Sequence, residues 1–186
     1  MKVKYCLSQT AKAFLLLVSA VTALQPAIAN ITITVSNENS EVGFSGEHAG
    51  MQFSGIFEQW TANLTLPPAK APQITAMFQL ESAKTGDFTY DSTLPEGDWF
   101  DVENHPEGKF ISDSITVIDG GYKVSGLLTL KNISNPQTFV LYEQKDGFSA
   151  NFAIDRIDYN IGVESDPDAE WVSREIMMRM QLAKAN

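Results

Sequence analysis

Cysteine is almost absent from this chain of 186 residues: the single one, Cys6, lies close to the start. Without paired thiols further on there is no disulfide framework and no cysteine-ligated metal. Histidine is nearly as scarce. His48 and His105 stand alone, so a zinc or haem site would need both of them plus carboxylates from Asp98, Asp101 or Glu103. The plainer reading is one histidine in a turn and one in a polar loop. Basic residues number 13 against 23 acidic ones, a balance that does not follow the phosphates of a nucleic acid and is repelled by anionic lipid. His-Glu-x-x-His, Gly-x-Ser-x-Gly and glycine-rich phosphate loops are missing too, which removes the main support for a hydrolase. No segment carries a sustained apolar stripe of helical period. Past residue 29, no apolar run approaches the roughly 20 residues that a membrane-spanning helix needs.

What is present begins with a leader. Lys2, Lys4 and Lys12 form a basic region, Ala13 to Leu24 an apolar one, and Ala27-Ile28-Ala29 a small-residue cleavage signature. Residues 1–29 are therefore expected to be a secretory signal peptide that takes Cys6 with it. The 157 residues from 30 to 186 then form one domain, in which ten basic residues face 23 acidic ones for a net charge of −13. A chain of that length buries about two-thirds of its unfolded surface without staples.

The period of two dominates this domain. Ile31 to Ser36 alternates as a strand, and Asn37-Glu38-Asn39-Ser40 supplies turn chemistry for a hairpin into a second strand ending near Glu47. After His48-Ala49-Gly50, Met51 to Leu66 reads as one long strand whose parity switches near Gly55 to Gln59, as a bulge would make it. Pro67-Pro68 stops that run, and Gln73 to Ala83 resumes with Ile74, Ala76, Phe78 and Leu80 on one side. Further strands follow from Phe110 to Asp119, across Asp119-Gly120-Gly121 into Tyr122 to Lys131, and then past a turn at Asn132 to Pro136 into Gln137 to Lys145. Asp146-Gly147 turns the chain into Phe148 to Tyr159, and Val172 to Ala183 is the last strand. Such strands must close into a barrel or pack as a sandwich, because open edges invite aggregation. The pattern alone leaves both open.

Alternation stops between Thr85 and Ser112. Its middle, Leu94 to Val102, is too rich in Pro and Gly for a long helix yet carries Trp99 and Phe100 side by side among carboxylates. A short helical lid over the end of a β structure fits best.

The motifs, taken in order, resemble the YceI-like family of polyisoprenoid-binding periplasmic proteins across nearly the whole domain. They are Ser40-Glu-Val-Gly-Phe44 with His48-Ala-Gly; Phe53-Ser-Gly-Ile-Phe57; Thr85-Gly-Asp with Leu94 and Asp98-Trp-Phe-Asp-Val; His105-Pro106 with Phe110-Ile-Ser112; Tyr122 to Leu130; and Asp155 to Gly162. The resemblance implies an all-β fold, an extended lipocalin-like antiparallel barrel of about eight strands. It implies a hydrophobic cavity for a long apolar chain, export to the periplasm, no cofactor and no established catalytic residue. Asn132-Ile-Ser-Asn-Pro136 stands where many members carry Gly-Val-Thr-Lys-Pro, which leaves a turn intact. His105-Pro stands where some carry Tyr-Pro, a change expected at the cavity mouth.

By themselves, the alternating apolar residues read as filled core. The resemblance reverses that reading and makes ligand contacts of Phe44, Phe53, Phe78, Leu80, Phe110, Leu128, Leu130, Phe139, Leu141, Phe152, Ile154, Ile176 and Met178, with Trp99 and Phe100 supplied by the lid. Met178 and Met180 are flexible enough to follow an irregular chain. Arg156 is expected to be structural, paired with Asp155, Asp158 or the lid. Glu164, Asp166, Asp168 and Glu170 alternate but lack the glycine and spacing of an EF-hand, so they read as a solvated acidic loop. The expected function is a binding protein for a polyisoprenoid, an isoprenoid quinone or a fatty-acyl-like lipid, not an enzyme. The alternative is a redox-associated partner that presents a quinone-like ligand to a membrane cytochrome b, since the Asp-Trp-Phe lid looks like a subgroup found fused or neighbouring to one. A homodimer stays open, because strand edges are not located.

Overall fold

Period-two alternation does build strands, eleven of them, in a computed structural model that describes residues 31–184. The expected signal peptide lies outside the described residues. The strands are β1 (Thr32–Ser36), β2 (Glu41–His48), β3 (Met51–Phe57), β4 (Trp60–Thr65), β5 (Gln73–Gln79), β6 (Ala83–Lys84), β7 (Glu107–Ile118), β8 (Gly121–Leu130), β9 (Ile133–Gln144), β10 (Gly147–Asp155) and β11 (Glu175–Ala183). One α-helix, α1 (Phe88–Thr93), lies between β6 and β7. All the strands belong to one antiparallel sheet in the order β1-β4-β5-β7-β8-β9-β10-β11-β2-β3-β6.

That order closes on itself once three bent strands are counted whole. Along the strand made of β3 and β4, β2 pairs with the first half and β1 with the second. On its other side β6 pairs with β3 at Phe57↔Ala83 and β5 with β4 from Trp60↔Phe78. Counting β1 with β2, β3 with β4, and β5 with β6 as one strand each leaves eight. The ring is complete because β2 is also laddered to β11, and β5 to β7. The result is a lipocalin-like up-and-down barrel, as expected.

Three local expectations are corrected. Asn37 to Ser40 is a corner and not a hairpin: Asn39 N and Ser40 N donate to Ser36 O at 3.3 and 3.0 Å, and the chain carries on along the same neighbour. Turn residues signal a change of direction without setting its angle. Met51 to Leu66 is two strands, broken at Glu58-Gln59, where Glu58 N donates to Ser82 O at 2.9 Å and Gln79 N to Gln59 O at 3.0 Å. The break turns both Phe57 and Trp60 inward, which is the parity switch read in the sequence. The register shift in the β7–β8 ladder lies instead between Ser112 and Ser114. Finally, the turn before β9 is only Lys131-Asn132, both at positive φ (48° and 60°), as a type I′ hairpin requires. Pro136 lies within β9, opposite Leu127.

That proline is tolerated because β9 is laddered to β10 only from Tyr142 to Gln144, leaving its earlier half with a free edge. Side chains bridge this seam: Gln137 Nε2 donates to Ala153 O at 3.3 Å and Asn135 Nδ2 to Asp158 O at 2.8 Å. Inside the barrel, Gly55 has no room for a Cβ, which would meet Phe44 Cζ at 2.3 Å. Its absence lets the Phe44 ring cross over its neighbouring strand.

The seam should be the barrel's weakest ladder. Amide hydrogen exchange is expected to be faster in β9 upstream of Tyr142 than in β8, which is laddered on both sides; equal protection along both strands would contradict this.

Candidate functional site

The inward faces of the strands enclose a cavity of ~130 Å³ whose accessible wall is entirely apolar. Every one of the fifteen side chains expected to face a ligand lies on it, from Phe44 on β2 to Met178 on β11, with Trp99 and Phe100 from the lid. Phe57, Trp60, Leu64, Ile161, Val172 and Met180 also line it. Their alternation was legible, but nothing in sequence separates a residue that borders a hole from one that fills it. The rings are in mutual contact: centroids are 5.5 Å apart for Phe44–Phe57, 5.4 Å for Phe110–Phe139 and 4.8 Å for the stacked Phe139–Phe152. Phe53, Phe78, Phe152, Ile176, Met178 and Met180 are only partly buried, so the wall is loosest along these side chains. The volume is near that of an engineered apolar hole of about 150 Å³ that admits benzene. A longer occupant needs those side chains to swing, which the three rotatable bonds of methionine permit.

The lid covers one end. Its helix is α1, upstream of the Leu94 to Val102 stretch where a helix was expected. Asp87 caps α1 by accepting from Thr89 N at 2.8 Å and Tyr90 N at 3.3 Å, and Asp91 Oδ1 accepts from Thr85 N and Oγ1 at 2.6 and 2.8 Å. The Asp-Phe-Thr-Tyr sequence was a readable cap signal. Leu94 to Val102 folds instead as successive turns, with Phe100 N donating to Leu94 O and Asp101 N to Glu96 O at 2.9 and 2.8 Å, because Pro95 and Gly97 do not propagate a helix. Between α1 and the barrel rim is a second chamber of ~140 Å³. Phe44, Phe53, Leu94, Trp99 and Val172 line both chambers. His48 and Tyr90 meet at its wall, Nδ1 to hydroxyl at 2.9 Å.

Arg156 ties the lid to the barrel. It is 1 % exposed; of the expected partners the lid does meet it, through Trp99, while its carboxylate is Asp166, at 2.6 Å, and neither Asp155 nor Asp158. Its remaining N–H groups donate to the carbonyls of Ser173, Ile161, Gly162, Asp166 and Val172 at 2.7 to 3.3 Å, and Trp99 lies over the guanidinium with its centroid at 5.8 Å. Asp166, expected in a solvated loop, is thus buried, and also accepts from the N–H groups of Glu170, Trp171 and Val172. Asp98 clamps the lid to the same loop by accepting from Glu164 N, Ser165 N and Ser165 Oγ at 2.8, 3.0 and 2.6 Å. Lys131 Nζ donates to Gly97 O, Asp98 O and Asn160 O. Burial alone would push the Asp98 and Asp166 carboxyls up; these donors outweigh it and hold both below the usual carboxylate range. Burial lowers the Arg156 guanidinium from its ordinary value, against the pull of Asp166.

The histidines are not brought together with carboxylates into one cluster. His48 faces Tyr90, His105 Nε2 is 3.6 Å from Asp101 Oδ2, and among the described residues no group of three or more His, Cys, Asp or Glu side chains could hold a metal ion.

Comparison with known proteins agrees with this geometry. The model of the YceI-like domain family matches residues 33–183. A UPF0312 protein of Photorhabdus laumondii is 27 % identical over 180 residues, covering 90 % of this chain and 91 % of its own. Among solved structures, BcnA of Burkholderia cenocepacia superposes with a TM-score of 0.75 at 25 % identity, covering 81 % of this chain and 99 % of that one. A polyisoprenoid binding domain from Saccharophagus degradans, implicated in plant cell wall breakdown, shares the fold with a TM-score of 0.61 at 13 % identity, covering 85 % and 100 %.

Arg156→Leu should cost about 3 to 5 kcal/mol in denaturant unfolding, because it leaves the buried Asp166 carboxylate without its partner; a loss below about 1 kcal/mol would show the pair to be dispensable. Acid should loosen the same clamp. Carboxyls with depressed folded values contribute stability that is complete above the unfolded value near 4 and is lost as pH falls through the folded values. The melting temperature should therefore drop below about pH 4, and Asp98→Asn should start lower and lose less over that range.

Proposed function

We propose, from the premise that the chain belongs to the YceI-like domain family, that it is a carrier for a long apolar molecule. The class is a polyisoprenoid, an isoprenoid quinone or a fatty-acyl-like lipid, held in the barrel for transport, storage or protection after export to the periplasm. The observation that carries this reading is the cavity wall. It exposes no polar atom although it is lined by twenty-nine residues from all around the barrel. Its one charged residue, Arg156, has spent its donors on the loop behind the wall. Such a wall offers nothing to a polar solute and much to a hydrocarbon, since each 100 Å² of tail taken from water contributes about 2.5 kcal/mol. The S. degradans domain shows this fold in a protein described as binding polyisoprenoid, which supports the class of ligand. The reading is one of binding, with no chemical step: the wall presents no nucleophile beside a base.

Loading then requires the cavity to grow. Phe53, Met178 and Met180 are the side chains free enough to yield, and the lid aromatics would close over the tail. Phe100 is 9 % exposed and packs on Phe57 with ring centroids 6.3 Å apart, so it reports on both jobs.

Organic extraction of natively purified protein followed by mass spectrometry should release a stoichiometric lipid. Phe100→Ala should cost about 3 to 5 kcal/mol in stripped protein, and more in loaded protein, where the tail loses a contact as well. Thermal unfolding of both forms reads the difference; equal losses would make Phe100 ordinary core and take the lid out of binding.

A further inference from the structure

Among the described residues, the five large apolar side chains most open to solvent are Phe88, Ile31, Met51, Val117 and Trp171. Three of them stand at the lid end, and each adjoins a residue that lines the second chamber. Phe88, 87 % exposed, precedes Thr89 on α1; Trp171, 62 % exposed, precedes Val172; Met51, 63 % exposed, is laddered to His48 across the β2–β3 turn. Hydrogen bonds tie the three segments together: His48 Nδ1 meets the Tyr90 hydroxyl at 2.9 Å, and Ala49 N donates to Trp171 O at 2.8 Å. The chamber has no Lys, Arg, Asp or Glu in its wall and continues into the barrel through residues that line both. A mostly apolar path therefore leads from this rim to the cavity.

Both signs of charge flank the rim. The cations are occupied: Arg174 Nε donates to Asp155 Oδ2 at 2.6 Å, and Lys84 shares an outer groove with Asp91. The carboxylates next to the two aromatics are less committed. Asp87 caps α1 through Oδ1 alone, and among the described residues the Glu170 carboxylate has no hydrogen-bond or ion-pair partner. We propose that this rim docks on a phospholipid bilayer of zwitterionic headgroups, with Phe88, Trp171 and Met51 entering the headgroup layer and Asp87 and Glu170 staying beside them at the level of the ammonium groups. A zwitterionic headgroup holds its phosphate toward the acyl chains and its ammonium outward, so a carboxylate next to an inserted ring meets the cation first. Trp suits that layer, being apolar in the ring and polar at the N–H. Three side chains bury too little area for a permanent anchor, and the contact is brief and reversible. An anionic surface without ammonium groups is repelled by the acid excess of the chain. Docking of this kind goes beyond the carrier reading, because it needs no ligand in the barrel.

Co-sedimentation with vesicles at low salt tests it, on the protein as its own cell processes it. Binding to phosphatidylcholine vesicles is expected, and it should weaken about threefold or more when phosphatidylglycerol makes up roughly a third of the lipid. Phe88→Ser and Trp171→Ser should each lower the partition coefficient roughly five- to tenfold, the effect of one large side chain left in water. Val117→Ser, on the β7–β8 hairpin at the end away from the lid, should change nothing. The proposal fails if the wild type stays in solution with both vesicles, if phosphatidylglycerol strengthens binding, or if Val117→Ser weakens it as much as Phe88→Ser. It fails too if Phe88→Ser weakens capture on immobilised polylysine and not on vesicles, an outcome that makes the partner a basic protein. In each case the carrier reading stands, because extraction of bound lipid tests it separately.

Discussion

A guanidinium can stay buried only if its N–H groups all find acceptors, and that requirement organises one end of this molecule. Arg156 draws the carbonyls of Ile161, Gly162, Asp166, Val172 and Ser173 toward one point, which folds the long connection between β10 and β11 into a wall. Those carbonyls need donors as much as the arginine needs acceptors, since an unpaired buried carbonyl is itself costly. Gly162 shows how tight the arrangement is: it sits at φ +69°, and a Cβ there would meet Arg156 Nη1 at 2.9 Å and Trp99 at 3.1 Å. Trp99 covers the cation, Asp98 beside it grips the loop, and the lid is thereby fixed over the barrel. A buried pair of this kind adds little net stability over a packed apolar substitute. Here it joins lid and loop at one point, with Trp99 over the guanidinium and Asp166 paired to it.

The polar arrangement behind the wall is what allows the wall itself to be apolar. With Arg156 satisfied outward, the barrel interior carries no polar group at its surface and remains incompletely filled. That is a real cost, because an empty apolar hole forfeits dispersion contacts in proportion to its size. A protein selected for stability alone would fill it. Here the partly buried phenylalanines and methionines hold the space loosely. Beyond Trp99 and Leu94, under α1, the second chamber is also mostly apolar, with the His48–Tyr90 hydrogen bond at its wall.

Much of this was legible in the chain. The alternation of Tyr122 to Leu130 and of Ile176 to Leu182 assigned inward and outward faces correctly, since a strand's side-chain period is two whatever it packs against. The misreadings share one cause. Asn37 to Ser40 looked like a hairpin, Met51 to Leu66 like one strand, and Asn132 to Pro136 like a turn, because local chemistry marks where the chain bends and not which neighbour it meets afterward. Pro136 sits in a strand only because β10 has drawn away from it. Asp166 looked solvated because its partner, ten residues earlier, reaches it only after the connection folds back.

The sequence by itself determined the class of fold, the parity of its strands and the hydrophobic identity of its interior, all consequences of local period and transfer free energy. Whether that interior is full or hollow was decided by the tertiary structure alone, for a hole is a property of how side chains meet across the barrel, and no single strand contains it. The same holds for the two chambers and for the meeting of His48 with Tyr90. The residues concerned lie 42 apart in the chain and come together only when the ring of strands has closed and the lid has been drawn across its end.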